Sequence, residues 1–183
     1  MKYISTLLVA LSLTATAAHA GTSVEVGSGK NNASNEESYS VRFKNQLPVG
    51  GGFSVIPELR LDNGKDSGKT SGNAKLGVYH DVLKVGPAIV GTRVNLLETF
   101  GAPGRSTGWS VEPNLAVTAG NYTLGASYEY GEAFDKGVAA DVKTTKLSVV
   151  TPISKKTDLS IKHEVMRGDS DKNTTFVGVV FRF

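Results

Sequence analysis

Fifteen charged side chains recur at alternate positions within short apolar runs. They are Glu25, Arg42, Lys44, Glu58, Arg60, Asp62, Lys75 and Asp81, followed by Arg93, Glu112, Glu129, Lys146, Lys162, Glu164 and Arg182. Successive side chains of an extended strand point to opposite faces. This spacing therefore collects the charges on one face and Val, Leu, Tyr and Phe on the other. A charged face enclosed by a wall has two uses. Rings of charge along a thin pore select solutes. Paired charges of opposite sign also fill a narrow enclosure and close it. Eight of the fifteen are basic and seven acidic, a balance that suits a plug or a weakly selective pore.

Other chemistry is sparse. Beyond residue 20, His80 and His163 are the candidate general bases. Glu164 follows His163, but neighbours on a strand diverge, so it cannot orient that imidazole simply. Neither histidine is followed two residues later by serine: the residues there are Val82 and Val165. No His/Asp/Glu cluster has ligand spacing on one face, and Asp169 with Asp171 lacks the spacing of a calcium loop. There is no cysteine, so neither a disulfide framework nor a thiolate site exists. A net charge of only +3 gives no reason to propose nucleic acid as a partner. The expectation is a protein that is not an enzyme and holds no cofactor or metal.

The elements that must position the charges are strands. Alternation marks ten segments, around residues 24–26, 39–43, 53–61, 74–82, 88–96, 109–117, 122–130, 147–149, 159–165 and 173–183. No stretch shows a capped helical period. The connections keep a rhythm. Those after odd segments are longer and polar, at 28–36, 63–72, 100–107, 131–141 and 168–172. Those after even segments are mostly tight, at 48–52, 83–86, 119–121 and 153–157. Short turns at one rim and longer loops at the other are the pattern of a transmembrane barrel. Gly77, Gly91, Gly125 and Gly178 share the inward parity, where they leave room for long basic side chains or for a solute path. Pro57 and Pro113 read as bends in the wall, since proline lacks the ladder donor. Tyr39, Phe53, Trp109, Tyr122, Tyr128, Tyr130 and Phe183 read as interfacial aromatics. His163 takes outward parity near mid-strand, an unusual place for an imidazole.

The amino terminus reads as a secretory signal. Lys2 precedes an apolar run from Ile4 to Leu13, and Ala18-His19-Ala20 is a small-x-small cleavage site. Residues 1–20 are set apart as this segment, and 21–183 as one barrel domain.

The chain closes on Asn-Thr-Thr-Phe-Val-Gly-Val-Val-Phe-Arg-Phe, with Val177, Val179, Phe181 and Phe183 on one face. A chain that stops on such a strand resembles the outer-membrane β-barrels of Gram-negative bacteria. In that family the last strand closes the barrel and is read by the barrel assembly machinery, so the resemblance implies that role for Val179, Phe181 and Phe183. Ile153-Ser154-Lys155-Lys156-Thr157-Asp158-Leu159, followed by two strands, resembles the last hairpin of proteobacterial general porins. The likeness spans roughly thirty residues, and the chain is far too short for the sixteen strands of those porins. In size it is nearer the small barrels of eight to twelve strands.

The expected fold is all-β: a transmembrane antiparallel up-and-down β-barrel of about ten strands, with eight or twelve as alternatives. The expected place is the bacterial outer membrane, with membrane lipid as a partner. The expected function is a narrow porin-like channel for small polar solutes. Its lumen would be lined by Arg42, Glu58, Arg60, Lys75, Arg93, Glu112, Glu129, Lys146, Lys162, Glu164 and Arg182. The alternative is a closed structural or adhesin-type barrel that presents its loops; a barrel enzyme acting on lipid A or peptide is a third reading.

Overall fold

The structure is a computed structural model that describes residues 21–65, 67–101, 104–134, 141–168 and 171–183. The expected signal segment lies outside these residues. Eleven strands follow in order: β1 Ser23–Asn31, β2 Glu37–Lys44, β3 Leu47–Gly50, β4 Phe53–Gly64, β5 Thr70–Val85, β6 Ala88–Phe100, β7 Ser106–Ala119, β8 Tyr122–Ala133, β9 Asp141–Ser154, β10 Thr157–Gly168 and β11 Lys172–Arg182. Every hydrogen-bonded pair of strands in the wall is antiparallel. The sheet closes where β1 pairs with β11, from Ser23 opposite Arg182 to Asn31 opposite Thr174.

The wall has ten strands because β2 and β3 are two pieces of one. Lys44 opposes Glu58 on β4, and after a break at Asn45 and Gln46 the same register resumes with Leu47 opposite Val55. The break lies opposite Pro57, whose carbonyl still accepts from the Asn45 amide at 3.1 Å. Proline has no N–H to return. Pro113 acts similarly, since the β7–β8 ladder lapses at Glu112 and Pro113 and resumes unshifted at Asn114 opposite Ser127. The prolines thus interrupt ladders without bending the register. The register shifts fall elsewhere, at Pro48/Gly50, Asp81/Leu83 and Thr157/Asp158.

The connections are shorter than alternation suggests. The turns at one rim are Gly51-Gly52, Gly86-Pro87, Gly120-Asn121 and Lys155-Lys156, while 32–36, 65–69, 101–105, 134–140 and 169–171 join strands at the other. Gly86 and Gly120 take φ of 55° and 59° at the first turn position, a conformation open to glycine without steric cost. The strands consume the rest of the expected loops. About 9–11 residues cross a bilayer when tilted, whereas β4 to β11 run from 11 to 16 residues. The wall therefore projects past the apolar band.

The distribution of side chains is the reverse of a water-soluble domain. Among the described residues the buried large apolar side chains are Ile56 and Leu59, while the buried polar set includes Asn45, Ser54, Arg93, Asn95, Ser110, Glu129, Asp158, Ser160 and Glu164. Val26, Leu76, Val94, Leu96, Leu124, Leu147, Ile161 and Val177 are exposed around the outside. Burying apolar area is the main favourable term in folding, so this wall needs an apolar solvent. A closed barrel also satisfies its backbone without edges, as hydrocarbon requires. Aromatic side chains mark both rims of the band. Phe53, Tyr122 and Phe183 stand near the tight turns, and Tyr39, Trp109, Tyr128 and Tyr130 near the longer loops. Trp109 and Tyr130 meet edge to face at 6.0 Å.

Candidate functional site: a charged girdle across the lumen

Inward parity brings twelve charged residues from nine strands into one connected network. Its spine runs Lys162–Glu25–Arg42–Glu58–Arg93–Glu112–Lys146–Glu129–Lys75, each step an ion pair. A branch leaves Arg42 through Glu164 to Arg60 and Asp62, at 3.4, 2.8 and 3.0 Å. Arg42 is the hub, with Glu25, Glu58 and Glu164 all within 3.6 Å of its guanidinium. The planar fork of arginine can serve several carboxylates at once, which a lysine ammonium does less well. Six bases and six acids take part, so the girdle carries no net charge.

Neutral polar groups stitch the network to the wall. Asn95 donates to the Ser110 hydroxyl at 3.0 Å, and Ser110 donates to Glu129 at 2.8 Å. Ser127 donates to Glu112 at 2.9 Å. Phe176 also points inward, with the Arg60 guanidinium 4.6 Å above its ring. These residues share the parity of the charges. Sequence reasoning misses them because it selects inward residues by charge.

The girdle separates two cavities. One, of about 500 Å³, opens toward the tight turns and is lined by Lys44, Gln46, Tyr79, Asp81, Asn114 and Ser148. The other, of about 110 Å³, lies toward the longer loops against Asn73, Thr99, Ser106, Thr144 and Met166. Arg42, Glu58, Lys146 and Glu164 line both. Lys44 lies in the larger cavity outside the ion-paired network, as does Asp81. Arg182 does not join the girdle. It sits at the tight-turn rim, 60% exposed, and pairs with the buried Asp158.

The inward glycines make room for neighbouring side chains. A Cβ on Gly77 would lie 2.9 Å from Arg93 Cδ, and one on Gly29 would enter the Phe176 ring. On Gly91 it would meet Tyr79, and on Gly125 the Ser148 hydroxyl. Gly178 faces Gly27 across the β1–β11 seam, where a Cβ would strike backbone.

Both histidines of the described residues lie outside the lumen. His80 stacks on Phe53 at 4.1 Å on the outer wall. His163 keeps its outward parity and is hydrogen bonded to the Thr175 hydroxyl through Nδ1 at 3.0 Å, which satisfies one ring nitrogen there.

No family model matches the chain, and no curated protein matches it by sequence. Solved structures do match. A structure of the KdgM porin superposes on 88% of this chain and 99% of its own, with a TM-score of 0.51 and 14% identity. The NanC porin superposes on 87% of this chain and 100% of its own, with a TM-score of 0.56 and 10% identity. At these identities the likeness is one of fold, a small closed antiparallel β-barrel of the outer-membrane type.

Proposed function

We propose that the protein is a narrow outer-membrane channel for small polar solutes, with the neutral charge girdle as its constriction. One observation carries the reading: polar cavities on both sides of the girdle meet at the same four residues, Arg42, Glu58, Lys146 and Glu164. The girdle then stands between the two cavities as the barrier a solute would have to pass. Balanced signs give such a constriction weak ion preference, since a ring of one sign is what imposes selectivity.

The test is conductance of the refolded protein in a planar bilayer, compared with Arg42→Ala. Removing the hub widens the constriction and leaves Glu25, Glu58 and Glu164 short of counter-charge. Small steady currents are expected from the parent, and larger, cation-preferring currents from the variant. Silence from both, with folding and insertion demonstrated, would refute the channel.

A second reading has its own support. Every base of the girdle is within 4 Å of an acid, the arrangement of a plug that braces a closed barrel. In that case Arg42→Ala lowers stability and passes no current.

A further inference from the structure

The outer wall of β7–β10 carries a depression of about 470 Å³, lined by Leu115, Leu124, Ala126, Leu147, Val149 and Ile161. Its cause is Ala126, which sits between Leu115 and Leu147 in adjacent strands and is too small to fill the row they define. His163, directly opposite Leu147, borders it on the β10 side, with its Thr175 partner beyond on β11. Toward the rim of the longer loops the wall turns polar and then basic. Thr145 lies between Tyr128 and Val165, and beyond it Lys143 stands directly between Tyr130 and Arg167.

Lys143 and Arg167 are thus like charges at opposed positions, an arrangement that destabilises a sheet unless something offsets it. Of the neighbouring acids whose side chains are described, Asp171 and Glu132, neither forms an ion pair with Lys143. Asp171 approaches Arg167 only to 3.9 Å, with both side chains more than half exposed. Glu132 accepts from the Tyr130 hydroxyl on the far side of Lys143. The basic pair lies four residues along β9 from Leu147, or about 14 Å along the strand at 3.4 Å per residue. A strand tilt of about 40° reduces this to about 10 Å along the membrane normal, within one leaflet of a hydrocarbon core about 30 Å thick.

We propose that this face seats one phosphorylated lipid of the outer leaflet. An acyl chain lies over Ala126, and a headgroup phosphate sits between Lys143 and Arg167. The depression takes apolar chain, the Thr145 level meets the ester region, and the basic pair supplies the charge that the phosphate needs. Basic residues at a membrane rim recognise anionic headgroups in this way. The proposal rests on the wall lying in the membrane with the longer loops outward, and is independent of whether the lumen conducts.

The test is native mass spectrometry of the folded protein in detergent, titrated with diphosphoryl lipid A or with phosphatidylethanolamine. One lipid A per barrel is expected, retained in preference to phosphatidylethanolamine. The double variant K143E/R167E should weaken retention by about tenfold or more. Ala126→Trp, which fills the depression, should weaken it too. Lys84→Glu, an exposed change at the opposite rim, should leave it unchanged. Heat-modifiable gel migration establishes that each variant is folded, and Ala126→Leu replaces the tryptophan variant if that one is not. Equal retention of the two lipids, indifference to K143E/R167E, or an equal loss in Lys84→Glu would overturn the proposal. So would a parent dimer that Ala126→Trp dissociates, because a second copy would then cover the face.

Discussion

Arg42 reaches carboxylates on β1, β4 and β10 from its own place on β2. Removing one partner of such a buried set is costly, about 3–5 kcal/mol, because the charge left behind is uncompensated. Arg42→Met should therefore lower resistance to urea in detergent micelles by an amount of that order. Adding Glu164→Gln to it should recover part of the loss, since one stranded carboxylate is then neutral. Strictly additive losses in the double variant would mean that the two residues do not interact. Gly77 tests the same network from the wall. Its Cβ would crowd Arg93 Cδ and the Asn95 side-chain oxygen, so Gly77→Val should displace the Arg93 guanidinium from Glu58 and Glu112. A cost of about 1–3 kcal/mol is expected in the same unfolding measurement. Asn45 points the other way. It is fully buried, and neither atom of its side-chain amide has a hydrogen-bond partner. Asn45→Leu, similar in size, should raise stability by about 1–3 kcal/mol, and a loss would show that the amide is satisfied by water.

Among the elements, the strands and their facing are legible in the sequence because period two is a local property. Lys75 between Ala74 and Leu76, or Arg93 before Val94, declares its side without reference to the rest of the chain. Local reading fails where geometry depends on a neighbour. The interruption at Asn45 and Gln46 is caused by Pro57 across the ladder, and the bulge after Asp81 is visible only against β6. Spacing overestimates the loops because polar residues such as Asn63 and Gly64 continue β4 beyond the apolar band. Nor can spacing tell which acid meets which base, since Lys162 and Glu25 are distant in sequence and meet only because β10 and β1 flank β11. The closing strand carries a prediction of its own. We propose that Val179, Phe181 and Phe183, which share the outward parity of β11, serve as the assembly signal. Deleting Phe183 should then reduce the amount of folded barrel recovered from cell envelopes, while the purified chain still refolds in micelles. Equal failure in both settings would assign the residue to stability alone.

For the whole molecule, the two ends of the lumen are unequal. The cavity toward the tight turns is about 500 Å³ and the one toward the longer loops about 110 Å³, with the girdle between them. Tight turns of two residues leave the first open, while Arg60, Lys75, Glu129 and Glu164 crowd the second. If the girdle conducts, neutral polymers added to a planar bilayer should reveal this asymmetry. A polymer that enters a vestibule lowers conductance by displacing electrolyte, and one too large to enter leaves the current unchanged. The exclusion size should therefore be larger on the tight-turn side than on the loop side. Arg60→Ser should raise the loop-side limit, because it removes the side chain that spans from Glu164 to Phe176. The tight-turn limit should stay where it was, because Arg60 lines the smaller cavity and not the larger one. Identical limits on the two sides would mean that the polymers sense only the girdle, and that the cavities play no part in choosing what passes.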